Sequence, residues 1–181
     1  SEDSTRWNAI LKGDEIDYAR IPALHFDDVL ASRQPLVVNS DIQQRFHVFP
    51  FPEPGFVRTD FNMADPTVGY HSDPEQNKRN RALRCALLKA FDWDTRNDVF
   101  YYGIGKVYPG VIPPVAPEFD PNMPMSLMAH DPDEARSLLA EHGWNAENLP
   151  VLEYGYMNSV TNRQFFEQIR GFFEAIGYPR E

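Results

Sequence analysis

One cysteine in 181 residues leaves no partner for an internal disulfide, so stability must come from the core rather than from cross-links. Long apolar runs are also missing. None approaches the roughly 20 residues of a membrane-spanning helix. No basic stretch followed by an apolar one reads as a secretion signal, so a secreted origin is compatible with the chain without being encoded in it. Positive charge is scarce: 17 Lys and Arg against 27 Asp and Glu give a net charge of −10. That balance argues against nucleic acid, which needs a cationic face, and against an anionic bilayer. Its main consequence is solubility. Metal-ligand spacing is absent as well. His25, His47, His71, His130 and His142 form no HxH or HExxH pattern and have no paired cysteines beside them. No GxSxG elbow accompanies the serines, and Gly103-Ile-Gly105 lacks the third glycine of a dinucleotide fingerprint and follows a helical pattern. Nothing in these residues supports an enzyme, a metal or a cofactor.

Proline is what the chain has in abundance. Sixteen prolines gather around positions 50–54, 109–124 and 132, which predicts long ordered coils between regular elements. At this length the chain is one ordinary domain, able to bury roughly 70% of its unfolded surface. Apolar spacing predicts a helix over 3–13, with Trp7, Ile10 and Leu11 on one face and Gly13 in the left-handed position after it. Residues 15–21, 45–49 and 55–61 alternate polar and apolar, as half-buried strands do, and residues 151–157 read as a further strand. Pro22 can open a helix with Phe26, Val29 and Leu30 on one stripe. Helix, strand and helix in that order point to α/β layering.

Residues 62–76 are polar and turn-rich, a surface loop. A helix over 79–91 turns Leu83, Ala86, Leu87 and Ala90 inward, while Arg81, Arg84 and Lys89 snorkel or face water. Cys85 falls inside that pattern and is expected to be a buried, inert thiol. A second helix spans 94–102, capped by Asp92 or Asp94. From 103 to 128 there is no sustained periodicity, and a coil of that length is either packed by design or functional. The clearest local signal follows. Asp131 suits an N-cap, Pro132 the first helical position, Glu134 a reach back, and Gly143 the stop. Ala135, Leu138, Leu139 and His142 form the stripe between them. A last helix over about 161–176 turns Phe165, Ile169, Phe172, Phe173 and Ile176 inward, and its paired phenylalanines read as core.

The order of these segments carries a resemblance. Lys12-Gly-Asp-Glu-Ile-Asp17, Phe61-Asn62, the Arg-Ala-Leu…Ala-Phe-Asp92 helix, the Tyr-Gly-Ile-Gly105 turn and Ile112-Pro-Pro114 follow one another. Asp131-Pro132 with its Leu-Leu…Gly143 helix and the Ala175-Ile-Gly177 closing helix complete the series. Together they resemble a segment of the extracellular solute-binding proteins of family 5, the oligopeptide-, dipeptide- and nickel-binding type. Two details depart from that pattern: Phe91 stands where isoleucine is usual, and the opening over 77–84 is more basic.

The resemblance implies an α/β fold with a three-layer mixed sheet and flanking helices, one lobe of a class II periplasmic-binding-protein fold. Residues 1–181 would then be a single lobe, the C-terminal one, of a larger two-lobed protein. The implied function is binding of a solute, expected to be a peptide, for import by an ABC transporter, without catalysis. The implied partners are the solute, a membrane permease and the first lobe of the same parent, in a periplasmic or extracellular setting. A ligand-sensing module of a transcription regulator or signalling protein shares this architecture and is the competing reading. In α/β sheets ligands collect at strand carboxyl ends, which directs attention to Tyr156-Met-Asn-Ser-Val-Thr-Asn-Arg163. Tyr156, Asn158 and Arg163 are the candidate solute-binding residues. Arg163 falls where some dipeptide-binding members hold the ligand carboxylate, a task that suits a guanidinium donating two parallel bonds. A solvated arginine at a helix start is the plainer alternative.

Overall fold

Two compact units divide the chain, residues 1–53 with 94–107 and residues 54–93 with 108–181. The computed structural model describes residues 2–13, 16–51 and 54–179.

In the first unit, α1 (Glu2–Lys12) ends at Gly13, whose φ of 76° is the left-handed conformation expected there. A 3-10 turn (Ala23–His25) leads into the short α2 (Phe26–Val29). The helix predicted after Pro22 therefore exists but stops one residue before Leu30. From there the antiparallel hairpin of β1 (Leu30–Arg33) and β2 (Leu36–Val38) takes over, pairing Arg33 with Leu36 and Leu30 with Val38. Next comes α3 (Ser40–Gln43). Trp7, Val29 and Val38 form the buried centre, with Ile10, Leu11, Ile21, Leu36, Ile42 and Val48 packed around it. From its second residue on, α5 (Trp93–Tyr101) belongs to this unit. Behind it Tyr102 adopts a left-handed φ of 56° and Gly103 follows at 68°. A tyrosine rarely takes that conformation. Its ring is held edge-on to Phe26 at 5.5 Å and beneath the Arg33 guanidinium at 5.1 Å. The Tyr-Tyr-Gly-x-Gly sequence is thus a chain reversal.

The second unit is built on α4 (Pro74–Ala90), α6 (Pro132–Glu141) and α7 (Val160–Glu174). Leu83, Ala86, Leu87 and Ala90 recur at helical spacing, and the alanines let α6 approach closely through Ala135 and Leu139. Trp144 and Ile176 close this core. Each buried leucine contributes about 1.5–3 kcal/mol. Cys85 corrects the sequence reading, because it is exposed. It stands about 200° around the helix from Leu83, on the face away from the core.

Both α6 and α7 end in the same motif. Gly143 (φ 72°) follows α6, with Trp144 N–H donating to Leu139 O and Gly143 N–H to Ala140 O. Gly177 (φ 104°) follows α7, with Tyr178 N–H on Phe173 O and Gly177 N–H on Glu174 O. The hydrophobic contact that accompanies this ending is Tyr178 against Phe173, ring centroids 6.0 Å apart.

Four predicted strands are not strands. Residues 16–21 of the first, and residues 45–49, 55–61 and 151–157, carry no regular pairing, and Glu15 lies outside the described residues. Alternation describes the two faces of a strand, but a ladder also requires a neighbour for its N–H and C=O groups. Among the described residues the one sheet is the hairpin. The content is mixed α/β, and these residues do not form the expected three-layer mixed sheet. The coil over 103–128 is as expected, interrupted by one 3-10 turn (Met125–Met128).

Candidate functional site

The junction before α7 is set by two side chains. Ser159, in extended conformation, accepts the Asn162 N–H on Oγ at 3.0 Å, which caps the helix. Asn162 Nδ2 donates to Met157 O at 2.8 Å, tying the arriving chain to the first turn. The predicted residues sit around this knot. Tyr156 is 42% exposed, and Asn158 and Arg163 are exposed. Arg163 contributes its backbone N–H to Ser159 O. Its guanidinium forms no ion pair among the described residues, so a cation stands free at a fixed position in the first turn.

Two residues that the sequence reading passed over join them. Phe166, three positions beyond Arg163 and so on the same helix face, stacks on Tyr156 with centroids 5.8 Å apart and planes 20° apart. Tyr154 lies 5.9 Å from both rings, at 23° to Phe166 and 33° to Tyr156. Its hydroxyl is 3.5 Å from Thr59 Oγ1, which brings residues 54–61 alongside. Phe166 had been read as core because it is one of a phenylalanine pair. The signals that would have found the group are the two-residue spacing of Tyr154 and Tyr156 and the three-residue spacing of Arg163 and Phe166.

An open depression of about 590 Å³ lies elsewhere on this unit, at the start of α4, lined by Pro66, Thr67, His71, Asp73, Gln76 and Arg79 among others. Four of its polar side chains, those of His71, Asp73, Gln76 and Arg79, already have partners. Asp73 caps α4 by accepting from Gln76 N–H, and His71 Nδ1 accepts from Asp73 N–H. Gln76 Nε2 donates to Asn80 Oδ1. Arg79 donates to the His142 and Gly143 carbonyls and lies 4.2 Å from the Trp144 ring centroid. The depression is a gap between a loop and a helix whose side chains face their own neighbours.

Among the described residues no cluster of three His, Cys, Asp or Glu side chains is placed to hold a metal ion. No described helix is long and apolar enough to cross a membrane. His130 Nδ1 lies 3.4 Å from Asp92, and its ring lies 6.4 Å from that of Phe172.

A cation without an ion pair among the described residues and a partly exposed aromatic group thus lie at a capped helix start. Residues 1–178 match the family described as bacterial extracellular solute-binding proteins, family 5 Middle, and the chain belongs to that family. No curated protein and no solved structure matches it significantly. Membership carries the coarse function: extracellular solute binding in support of ABC-type import, with a solute and a membrane permease as partners.

Proposed function

We propose that this chain is one lobe of a two-lobed capture protein whose solute is a peptide. The solute is held at the junction of residues 156–163, and no bond is made or broken there. The observation that carries this reading is the exposed Arg163 guanidinium, without an ion pair among the described residues, in the first turn of a capped helix that Asn158 and Tyr156 precede in the chain. A carboxylate is the ligand group that a free guanidinium accepts best, through two parallel charge-assisted bonds.

The unpaired segments support the view that the lobe belongs to something larger. Phe49, Phe51, Val57, Val151 and Met157 expose 76, 62, 54, 84 and 82% of their surface outside any helix or strand. Side chains of this kind on segments that carry no ladder pairing among the described residues suit strands whose neighbours lie in the rest of the parent. A completed three-layer mixed sheet would cover them. Closure of two lobes on a solute is a population shift driven by contacts present only in the closed form. One lobe offers half of those contacts, so the 181-residue chain alone should bind any solute very weakly or undetectably. Calorimetric titration is the test, and micromolar affinity for any solute would refute the half-site reading. In a two-lobed parent, Arg163→Ala should weaken an anionic peptide by about 1–3 kcal/mol. Unchanged affinity there would remove Arg163 from the site.

A further inference from the structure

Three near-parallel rings can form a column or a cluster, and the distances decide between them. In a column the outer pair would stand about twice as far apart as the inner neighbours. Here Tyr154, Tyr156 and Phe166 are separated by 5.9, 5.8 and 5.9 Å, a nearly equilateral triangle. No ring is therefore enclosed between the other two, and Tyr156 keeps 42% of its surface open. Each ring is held from a different direction. Phe166 belongs to α7, behind the Ser159 cap, while Tyr154 and Tyr156 sit two apart on the arriving segment, where side chains share a face. The Tyr154 hydroxyl meets Thr59 on the neighbouring segment. An aromatic group held in this way loses little freedom when a ligand arrives. Phe166 also lies one helical turn from the unpaired Arg163, so the rings and the cation lie on one side of α7.

We infer that the Tyr154–Tyr156–Phe166 group is a ring-stacking wall that selects peptides with an aromatic side chain next to the carboxylate bound by Arg163. This rests on the peptide reading above and adds to it the class of side chain preferred. A flat ring laid against such a wall gains a π contact that an aliphatic side chain of similar size does not. The expected preference is roughly three- to tenfold.

The experiment titrates the 181-residue chain with millimolar Ala-Phe, Ala-Leu and Ala-Ala, following the ring protons of Tyr154, Tyr156 and Phe166 by NMR. Ala-Phe should shift those signals most and bind roughly three- to tenfold more tightly than Ala-Leu. Tyr156→Leu keeps an apolar side chain at a partly exposed position and should melt like the parent. It should bring Ala-Phe down to Ala-Leu. Equal binding of the three peptides, or a preference for Ala-Phe that survives Tyr156→Leu, would overturn the wall while leaving the peptide reading intact. If none of the three perturbs residues 154–166, the wall falls, while the half-site reading, which allows undetectable binding by one lobe, stands.

Discussion

Asn80 shows how one polar side chain organises a loop. It continues the buried stripe of α4 yet is fully inaccessible, donating through Nδ2 to Pro66 O at 2.7 Å and Gly69 O at 3.1 Å. Its Oδ1 accepts from Gln76 Nε2 at 2.8 Å. Arg84 Nη1 adds bonds to Val68 O and Gly69 O, so the loop before α4 is held by that helix. Asn80→Leu would take this partner from the Pro66 carbonyl and from the Gln76 side-chain amide, and urea unfolding should show a loss of about 1–3 kcal/mol. Tyr178 is the opposite case. Its hydroxyl is buried with no hydrogen-bond partner among the described residues, and desolvation pushes its pKa well above the ordinary 10.0. The folded chain thus holds its proton at pH values where the unfolded chain has lost it. The stability contributed is fully present below pH 10 and is lost as pH rises from there toward the folded pKa, by up to about 1.4 kcal/mol per pH unit. Tyr178→Phe should flatten that alkaline decline and leave stability at neutral pH equal or higher, as thermal melts across pH would show.

At the scale of elements, ends were more legible than middles. Asp131 accepts the Glu134 N–H at 2.8 Å, Pro132 occupies the first turn, and Gly143 ends α6, each where the residues predict it. The Asp131 N–H also bonds Lys89 O at 2.8 Å, so the cap couples α6 to the end of α4. Asp131→Ala should lower stability by about 1 kcal/mol, and Asp131→Ser should recover most of it in the same thermal melt. The start of α4 carries the same Asp-Pro signature at Asp73 and Pro74, yet the sequence reading began that helix at 79. The turn over 74–79 has no apolar stripe to mark it, because polar side chains bind the loop and the α6 end there. Strands were misread for a different reason. Residues 151–157 have the composition of a strand, whereas whether a ladder forms depends on a neighbour that no local pattern contains.

At the scale of the molecule, the chain combines helices sealed by their own contacts with extended segments left open. Hydrogen exchange should separate the two. Amides in the middle of α4, α6 and α7 are expected to exchange slowly, and those of 54–61 and 151–157 at nearly unprotected rates. Strong protection of 151–157 in the chain alone would mean that those amides already have partners, contrary to the proposed completion by a larger parent. The net charge of −10 keeps such exposed edges apart through mutual repulsion.

By itself the sequence determined the family, the main helices with the Asp131 cap and the glycine stops at Gly13 and Gly143, and the inward faces of α4, α6 and α7. Those features depend on neighbours three or four residues away, and local spacing records them. Only the tertiary structure decided that Cys85 faces water, that Asn80 anchors a loop, that the hairpin forms at 30–38 instead of the alternating segments, and that Tyr154, Tyr156 and Phe166 meet. Each of these depends on what the fold brings from a distance in the chain, and burial and pairing are properties of that meeting.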